Sequence, residues 1–184
     1  MNKTQKEAMS DLLYNMGHIS FCTYLYRTDI LKNNSIRFSE DAFFGEDREF
    51  NWKYLAHCER ISCVNKCLYF YRPNPDSATR RKATWRNTDA LLSVERVYEY
   101  LKDKECLFAE QFFHYLYART MWHVAKNFAI SRDRELYERL IKEYDVKSCM
   151  KVTLKDKNFL VSFSSLLFLL RPSWFFNIIG LKKR

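Results

Sequence analysis

Glycine and proline are scarce, with 3 of each in 184 residues. That rules out a collagen-like or linker-like chain and fits a turn-dense β-sandwich poorly. No apolar run approaches the ~20 residues needed to cross a bilayer. The opening MNKTQKEAMSDLLYN is polar and lacks the apolar stretch of a signal peptide. A soluble or membrane-surface protein inside the cell is the expectation. Acids are the minority, 22 against 31 Lys and Arg, for a formal charge of +9. What the chain does have is apolar and aromatic bulk, 47% and 17% of residues. That argues against disorder and provides the core of one domain, or of one domain with an appendage.

The charge is uneven. Lys147, Lys151, Lys155, Lys157, Arg171, Lys182, Lys183 and Arg184 face a single acid, Asp156, so this segment carries +7 and the first 146 residues only +2. The same segment holds the most apolar run, Phe159 to Leu170, which is too short to span a bilayer and long enough for an interfacial helix. Lys151, Lys155, Asn158, Ser162 and Ser165 recur every three or four positions, predicting a narrow polar stripe on an apolar cylinder. Trp174, Phe175 and Phe176 suit the headgroup boundary, and Lys182-Lys183-Arg184 suit anionic lipid. The tail is expected to lie on a membrane surface; the other reading is a helix docked on the protein's own core. Nucleic acid is not an expected partner, since the basic residues cluster with an apolar tail and no nucleic-acid motif occurs.

Cys22, Cys58, Cys63, Cys67, Cys106 and Cys149 include no CxxC pair, and in the absence of a secretion signal they read as thiols. His57, Cys58, Cys63 and Cys67 lie close in sequence, but at spacings that match no common zinc site. His18, His114 and His123 have no hydrolase-like neighbours, and no metal site is expected.

The spacing of Ala8, Met9, Leu12, Leu13 and Met16 predicts a helix over Lys3 to Met16, stopped by Gly17. Ile19 to Tyr26 (ISFCTYLY) reads as a buried strand. A short helix from Thr28 to Lys32 and a turn at Ser39 to Gly45 lead into a helix from about Glu46 to His57. Ile61 to Val64 and Leu68 to Tyr71 read as short strands joined around Asn65. Arg72 to Lys82 (RPNPDSATRRK) is a basic loop. Helices are expected over about Asn87–Lys102, Glu105–Phe128 and Arg132–Tyr144. The chain divides into an α/β part over 1–82, a helical region over 83–146 and a basic amphipathic tail over 147–184. The α/β part alone would leave sheet edges unpaired and apolar faces uncovered, so it reads as part of a larger α/β domain.

Three segments in order, LYRTDILKNNSIRF, FGEDREFNWKYLAH and LYFYRPNPDSAT, resemble the acceptor-side, C-terminal half of bacterial family 2 glycosyltransferases. These inverting enzymes of the GT-A fold build capsular polysaccharide, exopolysaccharide and lipopolysaccharide. The likeness runs from about Lys6 to about Leu101 and is densest from Tyr24 to Thr79. It implies an α/β fold class: the C-terminal portion of a GT-A-like, Rossmann-like domain, followed by a mainly helical region. It also implies a hexosyltransferase-like enzyme that moves sugar from a nucleotide sugar to a lipid-linked or polysaccharide acceptor at the inner face of the cell membrane.

The family's Glu-Asp dyad at a helix start matches Glu46-Asp47. Inversion at a sugar C1 requires a carboxylate to take the proton of the attacking hydroxyl. By resemblance Asp47 is the general base and Glu46 its neighbour; otherwise Glu46, Asp47 and Glu49 simply decorate a helix start, as acids commonly do. The family's Tyr-Arg and Ser-x-Thr segment matches Tyr71-Arg72 and Ser77-Ala78-Thr79, and Arg72, Arg80 and Arg81 would steady a diphosphate or a phosphate-bearing acceptor. The alternative for this loop is a solvated basic segment.

No DxD occurs, and a single helix precedes the Ile19 strand. The donor half, with its nucleotide-binding start and metal-holding DxD, is therefore expected to lie outside this sequence, a separate donor-binding chain being one source of it. Mg²⁺ or Mn²⁺ is expected for the complete enzyme and no cofactor for this chain. The alternative function is a non-catalytic remnant or a membrane-associated interaction module.

Overall fold

A computed structural model describes residues 2–14, 21–64, 66–70, 72, 81–102 and 109–181. These residues are mainly helical, with one two-stranded sheet. Strand β1 (Asn2–Thr4) pairs antiparallel with β2 (Arg60–Ser62), with Lys3 opposite Ile61. Helix α1 (Gln5–Tyr14) follows at once, its start fixed by the Glu7 carboxylate, which accepts the Thr4 N–H at 2.8 Å. Met9 and Leu13 of α1 are buried with Trp52, Leu55, Val94, Val97 and Leu101.

Two expectations for this part need correction. Within ISFCTYLY, Phe21–Thr23 form a single 3₁₀ turn, Tyr24 to Arg27 have no regular structure, and Leu25 is 99% exposed. The apolar run is therefore not a buried strand over its described residues. The Ile61 strand pairs with β1 rather than with Leu68 to Phe70, which form no strand and are exposed. Ile19, Ser20, Asn65 and Tyr71 lie outside the described residues.

Helix α2 (Thr28–Asn33) leads to α3 (Glu46–Leu55). A 3₁₀ turn (Trp85–Thr88) opens α4 (Asp89–Leu101), and α5 (Ala109–Ile130) is the long central helix. Then come α6 (Arg134–Glu143), α7 (Val146–Thr153), α8 (Phe159–Leu170) and α9 (Pro172–Ile179). Each start has a local cause. Asp133, Asp145 and Asn158 accept backbone N–H bonds from the first turns of α6, α7 and α8, and Pro172 opens α9 where its missing N–H costs nothing.

The main core gathers Met121, Trp122 and Phe128 of α5, Tyr137 and Leu140 of α6, Met150 of α7, Phe168 of α8 and Phe175 of α9. Each such side chain contributes about 1.5–3 kcal/mol of burial. At the end of α9, Gly180 sits where a Cβ would lie 2.7 Å from the Ala129 carbonyl, so α9 closes on α5 only because no side chain intervenes.

The tail differs from a single cylinder with one polar stripe. It breaks at 154–158 into α7 and α8; Lys151, Lys155 and Asn158 of the stripe are exposed, Ser162 is half-buried, and Ser165 turns inward beside Ser164. Ser164 accepts from Trp122 Nε1 at 2.8 Å, and Ser165 pairs with the Thr153 hydroxyl at 2.8 Å, both serines fully buried. A serine buried with a partner costs little, so these pairs fix the register of α8 on α5 and α7. Asp156, the tail's one acid, sits in the break. It accepts from Tyr115 at 2.7 Å and pairs with Arg119 Nε at 2.9 Å.

Candidate active site

The site begins at Gly45. Its φ of +89° is left-handed, and a Cβ there would meet Ser93 Oγ at 3.0 Å and the Ala90 Cα at 3.2 Å. Only glycine allows the turn and the close approach of α3 to α4 together. The preceding loop is fastened to α4, with the Phe43 N–H donating to Asp89 at 3.3 Å and Ser93 Oγ donating to the Phe44 carbonyl at 3.2 Å. This fixes where the first turn of α3 lies and separates its three acids.

Glu49 points inward, with its side chain 1% exposed. Its carboxylate accepts from Arg96 Nε at 2.9 Å, Lys53 Nζ at 2.6 Å and Ser39 Oγ at 2.7 Å. Burial by itself would raise this carboxyl; the bonds from Arg96, Lys53 and Ser39 outweigh it and hold the group below its ordinary value. Glu49 is thus a structural clamp between α3, α4 and the turn at Ser39. Glu46 is half-buried, and burial first, then the charges of Asp47 and Glu49, raise its carboxyl against the pull of its own backbone N–H.

Asp47 lines a cavity of about 270 Å³ enclosed by α3, α4 and α5, and Glu46 does not. The far wall carries Thr120, His123 and Asn127 of α5. Burial, then the positive charges of Lys126, Arg119 and Arg48, push the His123 imidazole down to about 3, so it is neutral at neutral pH. Trp52 and Thr120 also line the cavity, and Trp52 Nε1 and Thr120 Oγ1 have no hydrogen-bond partner among the described residues. Buried polar atoms of this kind call for a partner, and a water or a ligand hydroxyl in the cavity would supply one. The arrangement offers a carboxylate, a neutral imidazole, an amide and a hydroxyl to a polar guest.

Of the site residues expected from sequence, Arg72 and Arg81 are exposed and do not line this cavity. Ser77, Thr79 and Arg80 lie outside the described residues. His123, Asn127 and Thr120 were not expected. The spacing 120, 123, 127 on one helical face was the available signal, but its polar residues sit within an otherwise apolar helix that reads as core. No three His, Cys, Asp or Glu side chains among the described residues converge as metal ligands.

With this geometry in hand, partial relatives are informative. Over 56 residues, 30% of the chain, the sequence is 39% identical to the uncharacterized glycosyltransferase EpsJ of Bacillus subtilis (strain 168), covering 16% of that protein. Over 80 residues, 44% of the chain, it is 34% identical to the poly(ribitol-phosphate) beta-N-acetylglucosaminyltransferase TarS of Staphylococcus aureus (strain MW2), covering 13% of that protein. The TarS of strain Mu50 / ATCC 700699 matches to the same extent. The matched part is thus a small share of each relative's length. No family profile and no solved structure matches. The chain is related, over part of its length, to glycosyltransferases.

Proposed function

We propose that this chain is the acceptor-side part of an inverting, family 2 type glycosyltransferase of the GT-A fold, with Asp47 as general base. The observation that carries the reading is that, of the three acids in the first turn of α3, Asp47 alone lines the cavity without being consumed by a structural clamp. Its carboxylate takes the proton of the acceptor hydroxyl as that oxygen bonds to the sugar C1 and the bond to the departing nucleoside diphosphate breaks. His123 and Asn127 hold further hydroxyls of a glycan or lipid-linked acceptor. Glu46, outside the cavity, has a supporting role. Arg72 and Arg81, with Ser77, Thr79 and Arg80 nearby in sequence, meet phosphate of donor or acceptor.

The nucleotide sugar and the Mg²⁺ or Mn²⁺ that accompanies it belong to a donor half supplied by other sequence, in the same protein or a separate one. The exposed Leu25, Leu68 and Phe70, 99%, 77% and 89% accessible, support this, since large apolar side chains this exposed call for an apolar covering. The product would be a cell-envelope polysaccharide.

The test is Asp47→Asn in the assembled enzyme, alone and with Glu46→Gln. Both are expected to abolish transfer, with the Tm within about 2 °C of wild type, the range of a surface substitution in a chain this size. Undiminished transfer by folded Asp47→Asn protein overturns the assignment.

A further inference from the structure

The tail's packing leaves a second surface with its own chemistry. Because Ser164, Ser165 and Phe168 turn inward, the opposite face of α8 carries Phe159, Phe163, Leu166 and Leu170, which are 79%, 44%, 42% and 63% exposed. Their spacing of four, three and four residues sets them along one side of the helix. Phe159 and Phe163 stack at 5.7 Å, so the first turn presents a joined aromatic surface. On the neighbouring helix α9, Trp174 and Ile178 are both 45% exposed, and Leu181 follows at 72%. A soluble protein rarely shows so many large apolar side chains on adjacent, well-capped helices without a use for them.

The surroundings decide among occupants. Lys151, Lys155, Lys157 and Arg171 are exposed at the ends of α7 and α8, and Lys182, Lys183 and Arg184 follow in sequence. Among residues 147–181 the one acid, Asp156, is occupied by Tyr115 and Arg119, so it does not offset this charge at the surface. A second copy of the chain would bring the same cations against themselves. An anionic bilayer surface would meet both the apolar side chains and the basic flank, and no described helix is long and apolar enough to cross it.

We propose that the α8–α9 face seats this protein on an anionic membrane surface, with Phe159, Phe163, Leu166, Leu170 and Trp174 in the headgroup–acyl boundary and the flanking lysines and Arg171 on lipid phosphates. In this orientation Ser165 of the polar stripe expected from the sequence faces the core and not the bilayer. This seating does not depend on the transferase reading, because binding to lipid requires neither donor nor acceptor.

The test is co-sedimentation of the full 184-residue chain with vesicles of phosphatidylcholine alone and with added phosphatidylglycerol. Binding is expected to the anionic vesicles and to weaken at high salt, since each basic residue near the surface is worth about fivefold. Phe163→Glu with Leu166→Glu is expected to reduce binding at least tenfold. Because both residues are over 40% exposed, the double variant keeps the wild-type circular dichroism and Tm. Substituting Lys155 and Lys157 by Gln is expected to weaken the preference for phosphatidylglycerol about 25-fold while leaving the fold intact. Equal binding by wild type and the Glu variant overturns the proposal. So does absence of binding to anionic vesicles, or a concentration-dependent dimer that the same variant dissolves.

Discussion

Glu49→Gln is the perturbation that most sharply separates structural from functional acids at the start of α3. The substitution is nearly isosteric, so it tests charge and acceptor number rather than packing. The wild-type carboxylate receives Arg96, Lys53 and Ser39 together; the amide loses one acceptor oxygen and the charge that balances two cations. Breaking a buried ion pair on one side costs about 3–5 kcal/mol. Lys53 and Arg96 retain 18% and 36% exposure and can turn to water, which favours the low end, about 3 kcal/mol. For a chain of this length that is a fall in Tm of about 6–12 °C.

The pH dependence has a definite sign. The Glu49 carboxyl is held below its ordinary value of 4.5, so its contribution is fully present above that value and is lost as pH falls through the lower folded value. The wild type should lose stability across this acid window more steeply than Glu49→Gln. Scanning calorimetry and urea unfolding at pH 7 and at pH 3–4 read both effects. A variant within 2 °C of wild type at pH 7, or with an equally steep acid limb, refutes the clamp.

Two further outcomes follow from the same contacts. Gly45→Ala is expected to cost about 1–3 kcal/mol, because it combines a left-handed φ with a Cβ 3.0 Å from Ser93 Oγ, and urea unfolding measures it. Asp156→Asn is expected to cost about 3 kcal/mol by leaving Arg119 without its carboxylate, and to raise hydrogen exchange in α8 before α3; uniform exchange would show that the tail is not held there.

Helices were legible in the sequence wherever a cap and a period coincided. Asn158 before Phe159 and Asp133 before Arg134 mark starts that chemistry alone dictates. What was illegible is partner choice. Arg60–Ser62 is β-prone in any pairing, and whether it meets Asn2–Thr4 or Leu68–Phe70 is a long-range matter. Ser165, the last member of the polar stripe, is a related case. Polar residues at helical spacing ordinarily face water, but Ser165 has a partner waiting in Thr153, 12 residues away, as its neighbour Ser164 has in Trp122, 42 residues away. An acid at position 47 in the first turn of a helix was legible, whereas the cavity wall opposite it was not, since His123 reaches that wall only through the packing of α5.

Helix α5 serves both the cavity and the tail. Thr120, His123 and Asn127 of α5 line the cavity beside Asp47, while Tyr115, Arg119 and Trp122 of the same helix grip Asp156 and Ser164 of the tail. The cavity and the tail helix α8 are therefore both attached to one continuous helix. A protein seated by the tail would hold its cavity at a fixed height and tilt over the bilayer. For an acceptor confined to that surface, such fixed geometry replaces a three-dimensional search with an oriented encounter, and this is where a docked tail does more than a loose one would.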